Sequence, residues 1–427
     1  MRVPPLVTLI TSRSTVMLAA LLAALNGCAA RGRTAPSPVP EPSMEALPRP
    51  ALAAPTTVGF RATLPGQLDS IIERAIADSI APGAAVAVGR YGRIVHMRGY
   101  GRTDWAVDAP PVTDSTLFDL ASLTKVVATT TAAMLLEQDG LLHLDSTVAY
   151  YLPRFAAVDS AKRGITVRQL LTHTGGLEAY APLYTDSLTR GRHQYLVQIA
   201  GRPLRSAPGT QVVYSDWDMV MLQLVIEEVA HEPLDWFVER RIARPLELRE
   251  TVFRPQPPLV ARTAVTANDT TRGGLLRGIV HDGNAWAIGG VSGHAGLFSS
   301  ARDLASFAHM LLTGGRFAGT AFIAPDRVAR WTAPQTAGSS RSLGWDTPSG
   351  DRSSAGRYFS ARSYGHTGFT GTSSWSDPER GVFVILLTNR VHSLGTTPAD
   401  RVLTLRGAVA DAVQQAILDA PLALRGN

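Results

Sequence analysis

The chain has 427 residues, of which 45% are hydrophobic and 18% are charged, and its formal net charge is +6 at neutral pH. This is an ordinary globular composition with enough apolar residues for a sizeable core, and its length allows two or three domains. The excess of basic residues forms no dense arginine stripe interleaved with aromatic residues, which argues against a nucleic-acid-binding protein. Because Cys28 is the only cysteine, the rest of the chain has no disulfide, thiolate metal site or cysteine nucleophile.

The N-terminal segment has the features of an export signal. Two arginines precede an apolar run that starts at Met17 and ends in Leu25-Asn-Gly-Cys28. The run is too short to cross a membrane, and the order of basic, apolar and small residues is typical of a secretory signal peptide. Its end resembles the bacterial lipobox, although Asn26 departs from the usual residue. We expect a signal peptide over 1–28 with lipidation of Cys28; ordinary cleavage near Ala30 is the alternative.

Downstream of Cys28, strand patterns lie at both ends of the chain and helical patterns lie between them. Residues 29–57 are rich in proline and alanine and predict an extended tether. The apolar spacing then predicts a helix, a hairpin, a run of helices, a second hairpin and a last helix. The first helix is predicted over 67–80 and the first hairpin over 84–100. The run of helices covers 123–137, 167–171, 217–230, 234–242 and 301–312. The second hairpin is predicted over 371–388 and the last helix over 399–418.

This order predicts an α+β fold. An antiparallel sheet is formed from both chain ends and flanked by helices, and a mostly helical lobe, roughly 140–285, is inserted into a domain that spans 58–425. Clefts between two lobes are common sites for ligands.

Lysine is rare in this chain, and one lysine has a notable position. Only two of the 41 basic residues are lysine, and Lys125 lies three residues after Ser122 in Asp119-Leu-Ala-Ser-Leu-Thr-Lys. On a helix this spacing places the hydroxyl and the amine on one face. A lysine amine, unlike a guanidinium, can become neutral on burial and act as a base toward a serine nucleophile. The alternative is a serine that only caps the helix and a lysine that extends to solvent.

Two later segments offer partners for Ser122 and Lys125. Tyr214-Ser-Asp216 leads into the helix predicted over 217–230, and a phenol near an ammonium can relay a proton. His366-Thr367-Gly368 begins the C-terminal strands, where glycine lets a ligand approach the backbone. The N–H of Ser122, at a helix start, and that of Phe369 are candidate donors to an oxyanion.

Taken together in this order, the three motifs resemble those of the penicillin-recognising serine hydrolases, in particular the class C β-lactamase-like group that includes DD-peptidases and esterases. The segments 170–177 and 289–299 are similar to loops of that group. The resemblance implies a β-lactamase/transpeptidase-like fold and acyl transfer through Ser122. It also implies general acid and base roles for Lys125 and Tyr214.

Further implications concern the substrate. In the resemblance, the N–H groups of Ser122 and Phe369 form the oxyanion hole, and Asp216, His366, Thr367 and Gly368 contact the substrate. That substrate would be an ester, a D-alanine-containing peptide or a β-lactam in the cell envelope, on the periplasmic side of the inner membrane. No cofactor, metal or nucleic acid is implied.

Two residues depart from the β-lactamase pattern. Asp216 replaces an asparagine and, when ionised, only accepts hydrogen bonds. His366 replaces a lysine and is expected to titrate near neutral pH. We therefore expect weak penicillin hydrolysis and favour an esterase or DD-peptidase-like activity. A true class C-type β-lactamase and a catalytically silent peptidoglycan-binding lipoprotein are the alternatives.

Other chemistries lack their motifs. No Gly-x-Ser-x-Gly sequence occurs, which argues against an α/β-hydrolase triad. His231-Glu232 has no second histidine at the spacing of a zinc peptidase. The histidines at 281, 294, 309 and 392 are interpreted as structural or surface residues rather than metal ligands.

Overall fold

A computed structural model describes residues 50–335, 339–350, 352–395 and 399–424. The predicted signal peptide, Cys28 and the tether up to residue 49 lie outside these ranges. Among the described residues, no helix combines the length and the apolar character needed to cross a membrane.

The largest sheet combines strands from the two ends of the described chain. Its order is β1-β3-β2-β13-β12-β11, and all neighbours are antiparallel except β1 and β3, which are parallel. The strands are β1 Ala51–Leu52, β2 Gly83–Arg90, β3 Arg93–Gly101, β4 Phe118–Asp119, β5 Val252–Phe253, β6 Val265–Asp269, β7 Gly274–Arg277, β8 Leu297–Ser299, β9 Arg316–Phe317, β10 Thr320–Ala321, β11 Tyr364–Thr367, β12 Ser373–Asp377 and β13 Val382–Thr388.

The described residues form twelve α-helices, ten of which lie between β4 and β11. They are α1 Leu64–Ala77, α2 Thr131–Gln138, α3 Val148–Tyr151, α4 Val167–Leu171, α5 Gly191–Gly201, α6 Asp216–Ala230, α7 Leu234–Val238, α8 Pro257–Val260, α9 Gly283–Ala287, α10 Ala301–Leu312, α11 Pro325–Thr332 and α12 Ala399–Gln415. Two π-helical segments, Lys125–Thr130 and Glu239–Ala243, precede α2 and follow α7.

The central strands are buried on both faces because helices cover the sheet on each side. Side chains alternate across a strand, so β2 contributes Ala84, Val86 and Val88 to a core formed with α1 and α12. Ala85 and Ala87 belong instead to the larger core, which includes α2, α6 and α10. This double cover explains why β2 reads as a continuous run of small and apolar residues.

The predicted α+β architecture is confirmed, and the differences are local. The first helix begins and ends three residues before its predicted limits, since Ser79 has a positive φ of 57° that stops the helix. The predicted helix over 123–137 is divided, because its first turns widen into the π-helical segment Lys125–Thr130. Apolar periodicity does not distinguish π from α turns, and π segments often occur at functional sites. The predicted domain limits stay predictions.

Candidate active site

Ser122 lies on a tight turn between β4 and the helix that contains Lys125. Ala121 has a positive φ of 46°, and its N–H donates to Asp119 Oδ1 at 2.9 Å. Asp119 Oδ2 accepts the N–H of His281 at 2.7 Å. Burial raises the pKa of Asp119 to about 6, although these two hydrogen bonds favour the carboxylate. The turn is thus held by a buried acid, and Ser122 itself is half-buried.

Lys125 is fully buried, and its ammonium meets three polar groups. Nζ donates to Ser122 Oγ at 2.9 Å and to the carbonyl of His294 at 3.2 Å. It forms an ion pair with Asp216 Oδ1 at 2.8 Å and lies 4.9 Å from the ring centroid of Tyr214. The structure therefore brings the predicted residues Ser122, Lys125, Tyr214 and Asp216 together.

The carboxylate of Asp216 determines the charge state of this lysine. Burial alone would lower the pKa of Lys125, but the ionic interactions and hydrogen bonds with Asp216 and Tyr214 outweigh it, so the net shift of the pKa is upward. The resting state is an ammonium that donates to the serine oxygen. A neutral amine, which could accept the serine proton, forms only at alkaline pH or when a ligand disturbs the ion pair.

Tyr214 is held in place by the loop that contains His173. The carbonyl of His173 accepts the N–H of Val213 at 2.9 Å, and its Nδ1 accepts that of Ser215 at 3.2 Å. The His173 ring lies 4.8 Å from that of Tyr214. Burial lowers the pKa of His173, whereas burial and the nearby charge of Asp216 raise the pKa of its neighbour Asp218. The sequence marked this loop, within 170–177, as similar to a loop of the class C β-lactamase-like group, but it did not indicate that Asp218 contacts His173.

His366 lies on the edge strand β11, with its ring 5.8 Å from that of Tyr214. Burial, followed by the charges of Lys125 and Arg341, lowers its pKa to about 3. The expectation that His366 titrates near neutral pH is therefore wrong. Its Nδ1 donates to the carbonyl of Thr367 at 2.8 Å, and no described residue binds its buried Nε2. His366 is a neutral imidazole with a free acceptor.

The two candidate oxyanion donors lie on segments that are bonded to each other. Thr370 Oγ1 donates to the carbonyl of Asp119 at 2.7 Å, and Thr372 Oγ1 donates to that of Leu120 at 3.0 Å. These bonds connect the turn that follows Gly368 to the turn that holds Ser122. A Cβ on Gly368 would collide with the Leu120 carbonyl and the Thr372 hydroxyl, so the close contact requires glycine.

Neither candidate oxyanion donor has an acceptor among the described residues. The structure shows no hydrogen bond from the N–H of Ser122 or Phe369 to any described residue. The Phe369 side chain is 60% exposed and stacks on His281 at 5.7 Å.

Arg341 is a site residue that the sequence did not reveal. Its guanidinium carbon lies 5.0 Å from the Tyr214 ring centroid, and its charge helps to lower the pKa of both His173 and His366. It lies in an irregular segment, between serines, where no periodicity or motif marks it. The site thus has a guanidinium beside the neutral His366.

Two acids and a histidine lie together beside the lysine. Asp216, Asp282 and His294 each offer one atom within 4.8 Å of the others. These atoms already have partners: Asp216 binds Lys125, and Asp282 Oδ1 lies 2.9 Å from His294 Nε2. The other ring nitrogen of His294 bonds Ser292 at 2.8 Å. The group therefore fixes the loop whose carbonyl binds Lys125.

Comparison with known sequences gives consistent matches over most of the chain. The family model described as Beta-lactamase matches residues 68–408. A protein of Escherichia coli strain K12 named "Putative D-alanyl-D-alanine carboxypeptidase" is 33% identical over 387 residues, which cover 82% of this chain and 88% of that protein. A protein of the same name from Salmonella typhimurium is 33% identical over 381 residues, with coverage of 81% and 87%.

Solved structures share the fold at lower identity. The hydrolase EstCE1, described as having promiscuous acyltransferase activity, matches with a TM-score of 0.66 and 24% identity, covering 82% of this chain and 98% of that one. A "Beta-Lactamase/D-Alanine Carboxypeptidase" from Pseudomonas syringae matches with a TM-score of 0.67 and 19% identity, covering 82% and 99%.

The rarity of lysine makes the charge of Lys125 directly measurable. Lysine labelled with ¹³C at Cε gives two NMR signals, which Lys162→Arg assigns. We expect the Lys125 signal of the native protein to titrate above the usual lysine pKa. In Asp216→Asn, loss of the carboxylate should move the titration of Lys125 down by about one pH unit or more.

The matched control is Asp218→Asn, on the same helix. Asp218 contacts His173 rather than Lys125, and its own pKa is raised by burial, so this change should shift the titration of Lys125 much less than Asp216→Asn does. A native Lys125 that titrates well below the usual lysine range, or one that does not respond to Asp216→Asn, would contradict the assigned ion pair.

Proposed function

The chain belongs to the beta-lactamase family, and within that family of hydrolases we propose that it is a serine hydrolase acting on D-amino-acid peptides or esters. The observation that carries this proposal is the 2.9 Å contact between Lys125 Nζ and Ser122 Oγ, with Asp216 and Tyr214 around the same ammonium. A hydroxyl in contact with a buried lysine is one arrangement that activates serine as a nucleophile, once the lysine amine is neutral.

In the proposed reaction, Ser122 Oγ attacks the substrate carbonyl carbon and its proton passes to the Lys125–Tyr214 pair. The carbonyl oxygen becomes an oxyanion, which accepts hydrogen bonds from the N–H groups of Ser122 and Phe369. The bond to the leaving amine or alcohol breaks, and the pair returns the proton to the leaving group. Water then attacks the acyl-enzyme by the same route and regenerates Ser122.

The charge state of Lys125 sets the pH dependence of this reaction. Because Asp216 holds the lysine as an ammonium, the fraction of neutral amine increases with pH. The acylation rate should therefore rise from neutral toward alkaline pH. His366, with a pKa of about 3, contributes no ionisation to the profile in this range.

A substrate with a free terminal carboxylate is supported by Arg341. His366 is neutral and provides no cation where related enzymes have lysine. The guanidinium of Arg341 supplies a permanent positive charge beside Tyr214 and is suited to bind a carboxylate. The relatives named as D-alanyl-D-alanine carboxypeptidases support the same substrate class. Asp216 in place of asparagine removes a donor, so we propose that β-lactams are hydrolysed slowly.

A substrate panel tests the proposed function. Purified protein should release D-alanine from a peptide ending in D-Ala-D-Ala and hydrolyse short p-nitrophenyl esters, with slower turnover of nitrocefin. Ser122→Ala should lose each activity by about 1,000-fold or more, because the nucleophile is removed. Equal hydrolysis by the native protein and Ser122→Ala would refute the serine mechanism.

Within the same panel, Arg341→Met separates the peptidase from the esterase. Loss of the guanidinium should raise KM for the D-Ala-D-Ala peptide about 10- to 100-fold, since a charged hydrogen bond to the carboxylate is lost. The p-nitrophenyl ester has no carboxylate and serves as the internal control. An equal loss on both substrates would contradict the assigned role of Arg341.

We further propose that the protein is exported and anchored in the cell envelope through Cys28, facing the periplasm, where peptidoglycan peptides occur. The support is the signal-like segment 1–28 and its lipobox-like end. Radiolabelled palmitate should label the native protein when it is expressed in a bacterial host, but not Cys28→Ala. Label that is absent, or that persists in Cys28→Ala, would overturn the lipid anchor.

A further inference from the structure

The turn between β11 and β12 contains the second candidate oxyanion donor, the N–H of Phe369. The turn is closed by two backbone hydrogen bonds: Gly371 N–H donates to the carbonyl of Gly368 at 3.0 Å, and Gly368 N–H donates to that of Thr372 at 2.8 Å. The carbonyl of Gly368 and the N–H of Phe369 belong to one planar trans peptide group. They therefore point in opposite directions.

Arg406, on helix α12, holds this peptide group from the side opposite to the N–H. Its Nη2 donates to the carbonyl of Gly368 at 2.6 Å and to that of Thr372 at 2.9 Å. While the Gly368 carbonyl is fixed toward α12, the Phe369 N–H has to point away from that helix. A separate bond from Thr372 Oγ1 to the carbonyl of Leu120 ties the same turn to the backbone two residues before Ser122.

The partners of Arg406 are unusual for a cation in a largely buried position. Within the described ranges it forms hydrogen bonds to two carbonyls and no salt bridge to an acid, and its Nε is buried without a partner. Burial and the nearby Arg390 lower the pKa of Arg406 to about 9, so it remains charged at pH 7. A largely buried charge without a counter-ion is costly for stability. The described partners of the Arg406 guanidinium are the carbonyls of Gly368 and Thr372, in the turn between β11 and β12.

We propose that Arg406 is a positioning residue for the oxyanion hole, a role that rests on the proposed serine hydrolase function. It orients the Phe369 N–H toward the carbonyl oxygen of the substrate by fixing the other end of the same peptide group. Its charge also polarises that peptide, which strengthens the N–H as a donor. The benefit is largest when negative charge develops on the oxygen, so it belongs to the transition state rather than to substrate binding.

Kinetics of Arg406→Met and Arg406→Lys test this role. In Arg406→Met, kcat for a p-nitrophenyl ester should fall about 10- to 100-fold while KM changes by less than about 3-fold, as for weakening of an oxyanion donor. The affinity for an arylboronic acid, which forms a tetrahedral adduct with serine, should fall in parallel with kcat. Arg406→Lys keeps a charged donor and should lose less of both.

Arg390→Met is the matched control. Arg390 Nε donates to the carbonyl of Phe369 at 2.8 Å and thus holds the same turn, but through the next peptide group. Its removal should change kcat and boronate affinity by much less than Arg406→Met.

Three results would overturn the proposal. They are unchanged kcat and boronate affinity in both Arg406 variants, a loss that appears in KM alone, and an equal loss in Arg390→Met. If Arg406→Met does not fold, as judged by thermal melting, the same changes in kcat, KM and boronate affinity are measured for Arg406→Lys against the native protein, and they are interpreted in the same way. Failure of the proposed function is distinct, because the native protein would then show no activity dependent on Ser122.

Discussion

The ion pair of Lys125 and Asp216 is the interaction on which the site depends. A buried ammonium is stable only if it is paired and hydrogen-bonded, and the protein provides Asp216, the Ser122 hydroxyl and the carbonyl of His294. Each of these groups comes from a different element: the start of α6, the turn after β4 and the loop before β8. The charge of one lysine therefore ties three distant segments of chain together and fixes the serine among them.

Rigid backbone turns supply the second part of the site. The hydroxyls of Thr370 and Thr372 bond the backbone just before Ser122, and Arg406 binds the Gly368 carbonyl of the same turn. In the proposed reaction, the two candidate oxyanion donors are thus positioned before any substrate arrives. Such preorganisation avoids reorganisation cost during the reaction, which is the main way that oxyanion holes stabilise a transition state.

The secondary-structure elements and the order of the motifs could be predicted from the sequence better than the charge states of the site residues. The two hairpins, the terminal helices and the order of Ser122, Lys125, Tyr214 and His366 could be predicted, because periodicity and motif spacing are local. The rarity of lysine also indicated buried positions, since both lysines, Lys125 and Lys162, are fully buried. The pKa expected for His366 was wrong, because the actual value depends on burial and on the charges of Lys125 and Arg341, which are distant in the sequence.

Other features left no sign in the sequence for a related reason. Arg341 reaches the site from an irregular segment with no motif, and Arg406 reads as one more arginine on a C-terminal helix. Their roles come from tertiary contacts, to the Tyr214 ring and to the Gly368 carbonyl. The same is true of Asp218, whose pKa is raised because it is buried and lies close to Asp216.

The proposed mechanism requires that Ser122, Lys125 and two backbone N–H groups act on one reacting carbonyl. A crystal structure of the protein with an arylboronic acid is the most direct test. We expect a bond from boron to Ser122 Oγ and one boronate oxygen roughly 2.7–3.1 Å from the nitrogens of both Ser122 and Phe369. A boronate bound to another residue, or one whose oxygens all point away from Phe369, would contradict it.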